Sequence, residues 1–340
     1  MSRIAGLLVC LLLGSSAALA QSEKDWKICN SDEDTKDDNK AAIAACTRLI
    51  GTGKLTRKNF MVAYYNRGLS HRRLGENDKA LADYNKALEY DPNDSDIYNN
   101  RGIVYEAKDD LARAFADYNK AIQLNGKSSD AYSNRGDIYR KRLDYDKAIA
   151  DYQKAVSLDT NKAIYHDDLA EAYAMTGQYD RAIASSTRAI GLNDKRSNSH
   201  FSRGVSHFFK GDLAKAASDM RRAADLGASG SAMIYRYLAR ARGGDKATSE
   251  LEADVTRLKT QEWPFAGIEM LLGKRAPDAV LAAADGPSQK CDAHFYISQW
   301  HLLRGDRAQA QASLRIAADV CPRSDYEHMG ARAELARLGG

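Results

Sequence analysis

The most constraining feature of this 340-residue chain is a block of 34 residues that recurs at fixed register. A dipeptide marks each block, and it reads Arg67-Gly68, Arg101-Gly102, Arg135-Gly136, Leu169-Ala170 and Arg203-Gly204. Behind each dipeptide, at constant offsets, come a small residue, a larger one and a second small one, as in Ala80, Tyr84 and Ala87. A fixed period of this length predicts a solenoid of stacked supersecondary units.

A turn signal lies inside every block, for example Gly75-Glu76-Asn77 and Gly177-Gln178. Each unit is therefore predicted to be a helix, a tight turn and a second helix. Gly or Ala on the first helix lets the second helix approach, and Tyr or Met fills the groove beside it. Because one such unit would leave an apolar face in water, we expect several units in a stack, with a capping segment at each end.

These units resemble tetratricopeptide repeats. The resemblance covers residues 61–228 as five units and residues 291–322 as one more, with the first-helix aromatic of that family at Tyr64, Tyr98 and Tyr132 and its terminal proline at Pro92 and Pro322. It implies an all-α fold, a right-handed α-solenoid of about six tetratricopeptide-like helix-turn-helix units, with an irregular helical insertion before the last unit.

The first twenty residues have the parts of a secretory signal peptide: a charged start at Arg3, an apolar run and the small-residue end Ala18-Leu19-Ala20. We expect cleavage before Gln21 and a secreted, periplasmic protein. The apolar run is too short to anchor the chain, and no other stretch reaches the roughly 18 apolar residues of a transmembrane segment. Cys10 raises the alternative of a lipoprotein, but small residues do not precede it.

Charge does not point to a nucleic acid or an anionic membrane as partner. Lysine and arginine number 50 against 46 acidic residues, a net charge of +4, and this margin is too small to mark a polyanion-binding surface.

Four cysteines remain after the expected cleavage, and an even count in an exported chain favours disulfides. Cys291 opens the first helix of the last unit and Cys321 closes its second helix, so a helical hairpin brings them together. Cys29 and Cys46 flank an acidic loop. We predict the pairs Cys29–Cys46 and Cys291–Cys321, with four free thiols as the alternative.

The register divides the chain into six segments. They are a signal peptide at 1–20, an N-terminal capping segment at 21–60, five repeat units at 61–228, an irregular helical segment at 229–290, a C-terminal repeat unit at 291–324 and a capping helix at 325–340.

Roughly the last eighty residues resemble the NlpI family of bacterial envelope lipoproteins. The resemblance rests on Trp263 to Gly273, on His294 to Ile297 and on Tyr326-Glu327-His328. It implies an envelope adaptor that brings peptidoglycan hydrolases and a periplasmic protease together, often as a homodimer. The lipid-attachment cysteine of that family is missing here.

In the tetratricopeptide family the first helices line a concave groove, and the residue before each marker dipeptide points into it. That row reads Asn66, Asn100, Asn134, Asp168 and Ser202. Because an amide both donates and accepts hydrogen bonds, a ladder of asparagines could hold an extended peptide. The alternative is that asparagine is simply common at this position.

Other groove residues change in character along the chain. Arg73 lies in the first unit, Asp137 belongs to an acidic middle part, and Phe201 and Phe208 make the fifth unit apolar. The acidic part would suit a basic or neutral segment, unless these charges are only a solvated face. The two phenylalanines form an anchor pocket if they are exposed, or core if Tyr235 or Tyr237 covers them.

No catalytic motif occurs in the chain, and we predict neither enzyme activity nor a cofactor or metal. Two histidine pairs, His200 with His207 and His294 with His301, are spaced about 10 Å along a helix, too far apart to share a metal ion. The prediction is an exported interaction scaffold that binds a protein or an extended peptide. The alternatives are a self-assembling structural protein of the envelope and a glycan-binding module.

Overall fold

The computed structural model describes residues 19–31, 34–227, 230–256 and 261–339. Every regular element in these ranges is a helix, which confirms the predicted all-α solenoid of helix-turn-helix repeats. The chain divides into two compact units, Met1–Arg135 and Gly136–Gly340, and the division falls inside one helix.

The first unit begins with a helical stretch at residues 19–29, followed by helices that pack in sequence as antiparallel pairs. These helices are α1 (Lys36–Gly51), α2 (Arg57–Arg73), α3 (Asn77–Tyr90), α4 (Ser95–Ala107), α5 (Leu111–Leu124) and the first half of α6 (Ser129–Lys141).

The second unit continues the pairing, passes through a run of short helices and ends in a long hairpin with one further helix. Its helices after α6 are α7 (Tyr145–Leu158), α8 (Ala163–Met175), α9 (Tyr179–Leu192), α10 (Ser197–Lys210), α11 (Leu213–Asp225), α12 (Gly230–Arg242), α13 (Thr248–Val255), α14 (Phe265–Leu271), α15 (Pro277–Ala283), α16 (Gly286–Leu303), α17 (Arg307–Val320) and α18 (Tyr326–Leu338).

The small residue of each marker dipeptide sets how closely the two helices of a repeat approach. A Cβ placed on Gly102 would lie 2.6 Å from the ring of Tyr118, and one on Gly68 would lie 2.8 Å from the ring of Tyr84. Both rings are fully buried. The repeat spacing of Gly and Tyr thus reflects direct contact between the first and the second helix.

The turn between the paired helices contains one residue with left-handed backbone conformation. Glycine occupies this position in most repeats, for example Gly177 with φ of 74°, but Asp109 and Leu143 adopt it with φ of 59° and 61°. In each turn the next residue closes the helix: the Asp144 N–H donates to the carbonyl of Tyr139 at 2.9 Å. The turn geometry is kept even where its usual residue is absent.

Both predicted disulfides are confirmed. Cys29 and Cys46 are bonded with Cα atoms 5.1 Å apart, and Cys291 and Cys321 are bonded with Cα atoms 4.6 Å apart. The first bond fastens the N-terminal helical stretch to α1, and the second closes the hairpin of α16 and α17. Bonds at these places resist fraying where a stack of repeats has fewest neighbours.

The irregular segment joins the core of the second unit. Met233, Tyr235 and Leu238 of α12, Ile268 of α14 and Phe295 of α16 belong to one buried cluster. The predicted irregular segment at 229–290 contains the helical pair α12 and α13, followed by the short helices α14 and α15. The hairpin helix α16 begins at Gly286, five residues before Cys291.

Candidate peptide-binding groove

Three asparagines of the predicted row belong to the first unit, one on each of α2, α4 and α6. Each donates its side-chain amide to the preceding repeat or capping segment: Asn66 to Asn30 Oδ1 at 2.7 Å, Asn100 to the Tyr65 hydroxyl at 3.0 Å, and Asn134 to Asn99 Oδ1 at 2.9 Å. All three are half-buried. The row therefore links each of these first helices to the repeat or capping segment before it.

These links decide which hydrogen-bonding groups the row can offer to a ligand. The second amide hydrogen of Asn100 is also used, because Nδ2 donates to the carbonyl of Asp96 at 2.9 Å. Within the described part of the chain, no hydrogen bond reaches the Oδ1 atoms of Asn66, Asn100 and Asn134. The row thus offers acceptors, which match the N–H groups of an extended backbone.

Sequence reasoning did not identify the groups that receive these amides. Tyr65 and Asn99 occupy equivalent positions, one residue before Asn66 and Asn100. Burial raises the pKa of the Tyr65 hydroxyl, and the charges of Asp94 and Asp96 raise it further. Tyr65 is therefore a neutral hydroxyl beside the row. The register alone could have identified both positions, since each lies one place before the asparagine.

Carboxylates cluster beside the middle of the row. Partial burial raises the pKa of Asp96, and the neighbouring charges of Asp94 and Asp130 raise it further. Mutual repulsion of this kind indicates a negative local potential, which favours a cationic ligand. Towards the start of the unit Arg73 pairs with Asp34 at 3.3 Å, so its charge is largely neutralised within the protein.

In the second unit, the face predicted to be a groove is covered by the chain's own C-terminal helix, α18. The ring of Tyr326 packs edge-on to Phe201, with centroids 5.9 Å apart. Burial raises the pKa of the Tyr326 hydroxyl; the Glu171 carboxylate raises it as well, and Ser202 and Arg140 oppose the change. Ser202 is buried, so this part of the row is not an open surface.

Of the two phenylalanines predicted for the fifth unit, Phe208 belongs to the core and Phe201 packs against it. Phe208 is fully buried and packs edge-on to Tyr235 at 5.4 Å, and Phe201 meets the same ring at 6.0 Å. Phe201 remains half-buried, between Tyr235 and Tyr326. The core alternative therefore describes Phe208, and neither ring forms an open anchor pocket.

The acidic residues predicted for the middle of the groove take part in a polar network. Asp137 accepts a hydrogen bond from the Tyr152 hydroxyl at 2.8 Å and pairs with Arg140 at 3.2 Å. Arg140 also pairs with Glu171 at 3.2 Å. Asp168 is half-buried, and its charge raises the pKa of Tyr152 after the larger effect of burial.

The histidines of α10 have structural partners. His200 Nε2 contacts the carbonyl of Asp194 at 3.1 Å, and His207 Nδ1 contacts Asp212 at 3.1 Å. The ring of His200 thus contacts the loop before α10, and the ring of His207 contacts the residue before α11.

Sequence profiles locate the repeats. Profiles described as tetratricopeptide repeat match residues 129–162, 168–232 and 95–128, and one described as TPR repeat matches residues 68–109. The chain contains tetratricopeptide repeats. No curated protein matches it as a relative.

Solved structures of other tetratricopeptide repeat proteins are similar to this chain. YrrB, described as a TPR protein with an unusual peptide-binding site, is 24% identical over 56% of this chain and 96% of its own, with a TM-score of 0.47. MamA from Desulfovibrio magneticus is 21% identical over 50% and 97%, with a TM-score of 0.46. A tetratricopeptide repeat protein from Parabacteroides merdae is 17% identical over 94% and 97%, with a TM-score of 0.48.

Two predictions concern residues around the repeats. Residues 1–18 of the predicted signal peptide, which include Cys10, lie outside the described residues. Among the described residues, no helix has the length and apolar character needed to cross a membrane.

Proposed function

We propose that this protein is an exported, non-enzymatic scaffold that binds an extended segment of a protein partner along α2, α4 and α6 of its first unit. The observation that carries the proposal is the asparagine row, whose amides are used within the protein and whose Oδ1 atoms remain as acceptors. Backbone N–H groups of a peptide would occupy them, and the carboxylates around Asp96 favour a basic segment.

Export and an envelope role complete the proposal. The signal-like start and the two disulfides support a periplasmic location, where disulfides form and persist. The resemblance to the NlpI family supports peptidoglycan hydrolases or a periplasmic protease as partners, and a homodimer as the assembly.

The test uses the chain from Gln21 with both disulfides formed and a set of fluorescent eight-residue peptides of basic, neutral and acidic composition. Fluorescence anisotropy should show binding of basic peptides, and the change of Asn66, Asn100 and Asn134 together to alanine should weaken it at least tenfold. Unchanged affinity would remove the row from the site, and no binding by any peptide would contradict the proposed function.

The triple variant also removes hydrogen bonds between repeats, so a control variant must lose similar bonds outside the proposed site. Asn85 and Asn119 also join successive repeats, because they accept hydrogen bonds from Arg101 and Arg135 at 2.7 and 2.8 Å, but they lie on the second helices. The variant Asn85→Ala with Asn119→Ala should lose a similar number of links and keep its peptide affinity. Helicity measured by circular dichroism should be equal in the two variants.

A further inference from the structure

The helix that covers the second unit carries a buried carboxylate. Glu327, in the first turn of α18, is 9% exposed and accepts a hydrogen bond from the Tyr235 hydroxyl of α12 at 3.2 Å. The Asp292 carboxylate of α16 acts on it, and Asp292 is itself held by the indole N–H of Trp263 at 2.8 Å. Two carboxylates that repel each other thus lie where α12, α16 and α18 pack together.

No cation compensates Glu327 among the described groups that act on it. These are the Asp292 carboxylate, the backbone N–H of Glu327 itself, the Tyr235 hydroxyl and Asp325, the residue that precedes α18. Further along the same helix, Glu334 is also buried but pairs with Arg242 at 2.8 Å. The two glutamates of α18 therefore differ in charge compensation, and burial of an uncompensated carboxylate favours its protonated form.

The electrostatic surroundings agree with this geometry. Burial, and after it the charge of Asp292, raises the pKa of Glu327 to about 8. Burial also raises the pKa of Asp292 to about 6, with Asp325 adding to the effect. A glutamate on a released helix would return towards its ordinary pKa near 4.5. Protonation of Glu327 thus stabilises the docked position of α18 at low pH, and this stabilisation is lost as the pH rises towards 8.

Other charged or titratable groups lie on every element packed around Glu327. On α12 and α16 these are Tyr235 and Tyr296, both fully buried, and burial raises the pKa of both hydroxyls. On α18 the neighbouring His328 has its pKa lowered by burial. On the preceding repeats, the charges of Glu171 and Arg140 act on the Tyr326 hydroxyl in opposite directions. Arg140 forms ion pairs with Asp137 and Glu171, and these two carboxylates neutralise its charge.

We propose that α18 is a pH-sensitive latch on the second unit: ionisation of Glu327 releases the helix and uncovers the first-helix face that includes Phe201 and Ser202. The face that α18 covers holds the same repeat positions as the open row of the first unit. Release would expose this face as a second binding surface. It would present the aromatic ring of Phe201, whereas the row of the first unit presents asparagines. This inference does not depend on the proposed peptide site of the first unit.

Hydrogen–deuterium exchange of the full chain from Gln21, followed by mass spectrometry between pH 6 and 8, tests the latch. After division by the intrinsic exchange rate at each pH, the opening constant of residues 326–338 should rise by up to about tenfold per pH unit. The hairpin helices α16 and α17, which the Cys291–Cys321 bond holds, should keep their protection. Uniform loss of protection in both regions would indicate general unfolding and overturn the latch.

Three variants separate the latch from simple destabilisation. Glu327→Gln keeps a hydrogen-bond acceptor for Tyr235 but cannot ionise, so its opening constant should no longer rise between pH 6 and 8. Asp292→Asn removes the neighbouring charge, so the rise should level off at a lower pH than in the wild type. Asp319→Asn changes an exposed carboxylate of α17 and should match the wild type. An unchanged slope in Glu327→Gln, or a flat profile in the wild type, would overturn the proposal.

Discussion

Arg101 and Asp117 form an ion pair with two hydrogen bonds between the first and second helices of one repeat. Nε donates to Oδ2 at 2.8 Å and Nη2 donates to Oδ1 at 2.7 Å. The same guanidinium donates to Asn85 Oδ1 on the preceding repeat at 2.7 Å. The side chains are only 18% and 8% exposed, so one arginine joins α3, α4 and α5 in a partly dry environment.

The same arginine–aspartate ion pair recurs at the equivalent positions of other repeats. Arg67 with Asp83 and Arg203 with Asp219 show the same two bonds, again at 2.8 and 2.7 Å. The fourth repeat has neither the arginine nor the aspartate, because Leu169 and Ser185 occupy the two positions. The chain therefore contains its own example of the pair replaced as a unit.

We expect the pair to be strongly coupled. Asp117→Ser should lower the free energy of unfolding by about 3 kcal/mol, because it leaves a buried guanidinium without its carboxylate. Arg101→Leu together with Asp117→Ser, which copies the fourth repeat, should lose less than the sum of the single changes. Urea unfolding of the four proteins measures the coupling.

The contrasting pair is Lys86 with Glu89, at 2.9 Å but more than half exposed on both sides. The same cycle there should give a coupling of about 0.5 kcal/mol or less. Additive losses at Arg101 and Asp117 would mean that the pair fixes geometry without contributing to stability.

Gly102→Ala should destabilise the first unit by about 2 kcal/mol, because the new methyl group would lie 2.6 Å from the ring of Tyr118 and the core cannot expand freely. The matched control is Gly191→Ala on the exposed side of α9, where an added Cβ would contact no other part of the described protein within 4 Å. That change should stabilise the protein by up to about 1 kcal/mol, since alanine favours a helix. Thermal unfolding of both variants should therefore show shifts of opposite sign.

The sequence predicted those parts of the fold that a 34-residue period encodes. The paired helices and the contact of Gly102 with Tyr118 follow from residues at fixed offsets, because packing of neighbouring helices is local. Both disulfides were predicted because each joins cysteines only 17 or 30 positions apart. The docking of α18 could not be predicted in this way. It depends on Tyr326 meeting Phe201, 125 positions earlier in the chain, and no period relates the two.

The candidate site was predicted in part. The row of Asn66, Asn100 and Asn134 follows from the register, but the use of its amides within the protein depends on side-chain torsions that the register does not fix. The Arg101–Asp117 pair was missed, although its joint replacement by Leu169 and Ser185 was visible in the sequence.

Ser186→Ala should stabilise the second unit by about 1 kcal/mol. The hydroxyl of Ser186 is fully buried on α9 and has no hydrogen-bond partner among the residues that the structure describes, so its removal relieves a desolvation cost and leaves only a small space. Ser298 offers the contrast, since its buried hydroxyl donates to the carbonyl of Phe295 at 2.6 Å. Ser298→Ala should lower the unfolding temperature. Destabilisation by Ser186→Ala would imply a partner for that hydroxyl, such as a bound water.

Leu143 should be replaceable by glycine with a gain in stability. It adopts φ of 61° in the turn between α6 and α7, where a side chain is strained by about 1 kcal/mol, and its 39% exposure means that little packing is lost. Gly177 holds the same position one repeat later with φ of 74°, so Gly177→Leu should lower stability by a comparable amount. Equilibrium unfolding in urea measures both changes. If both variants are less stable than the wild type, the Leu143 side chain contributes more through its contacts than its backbone conformation costs.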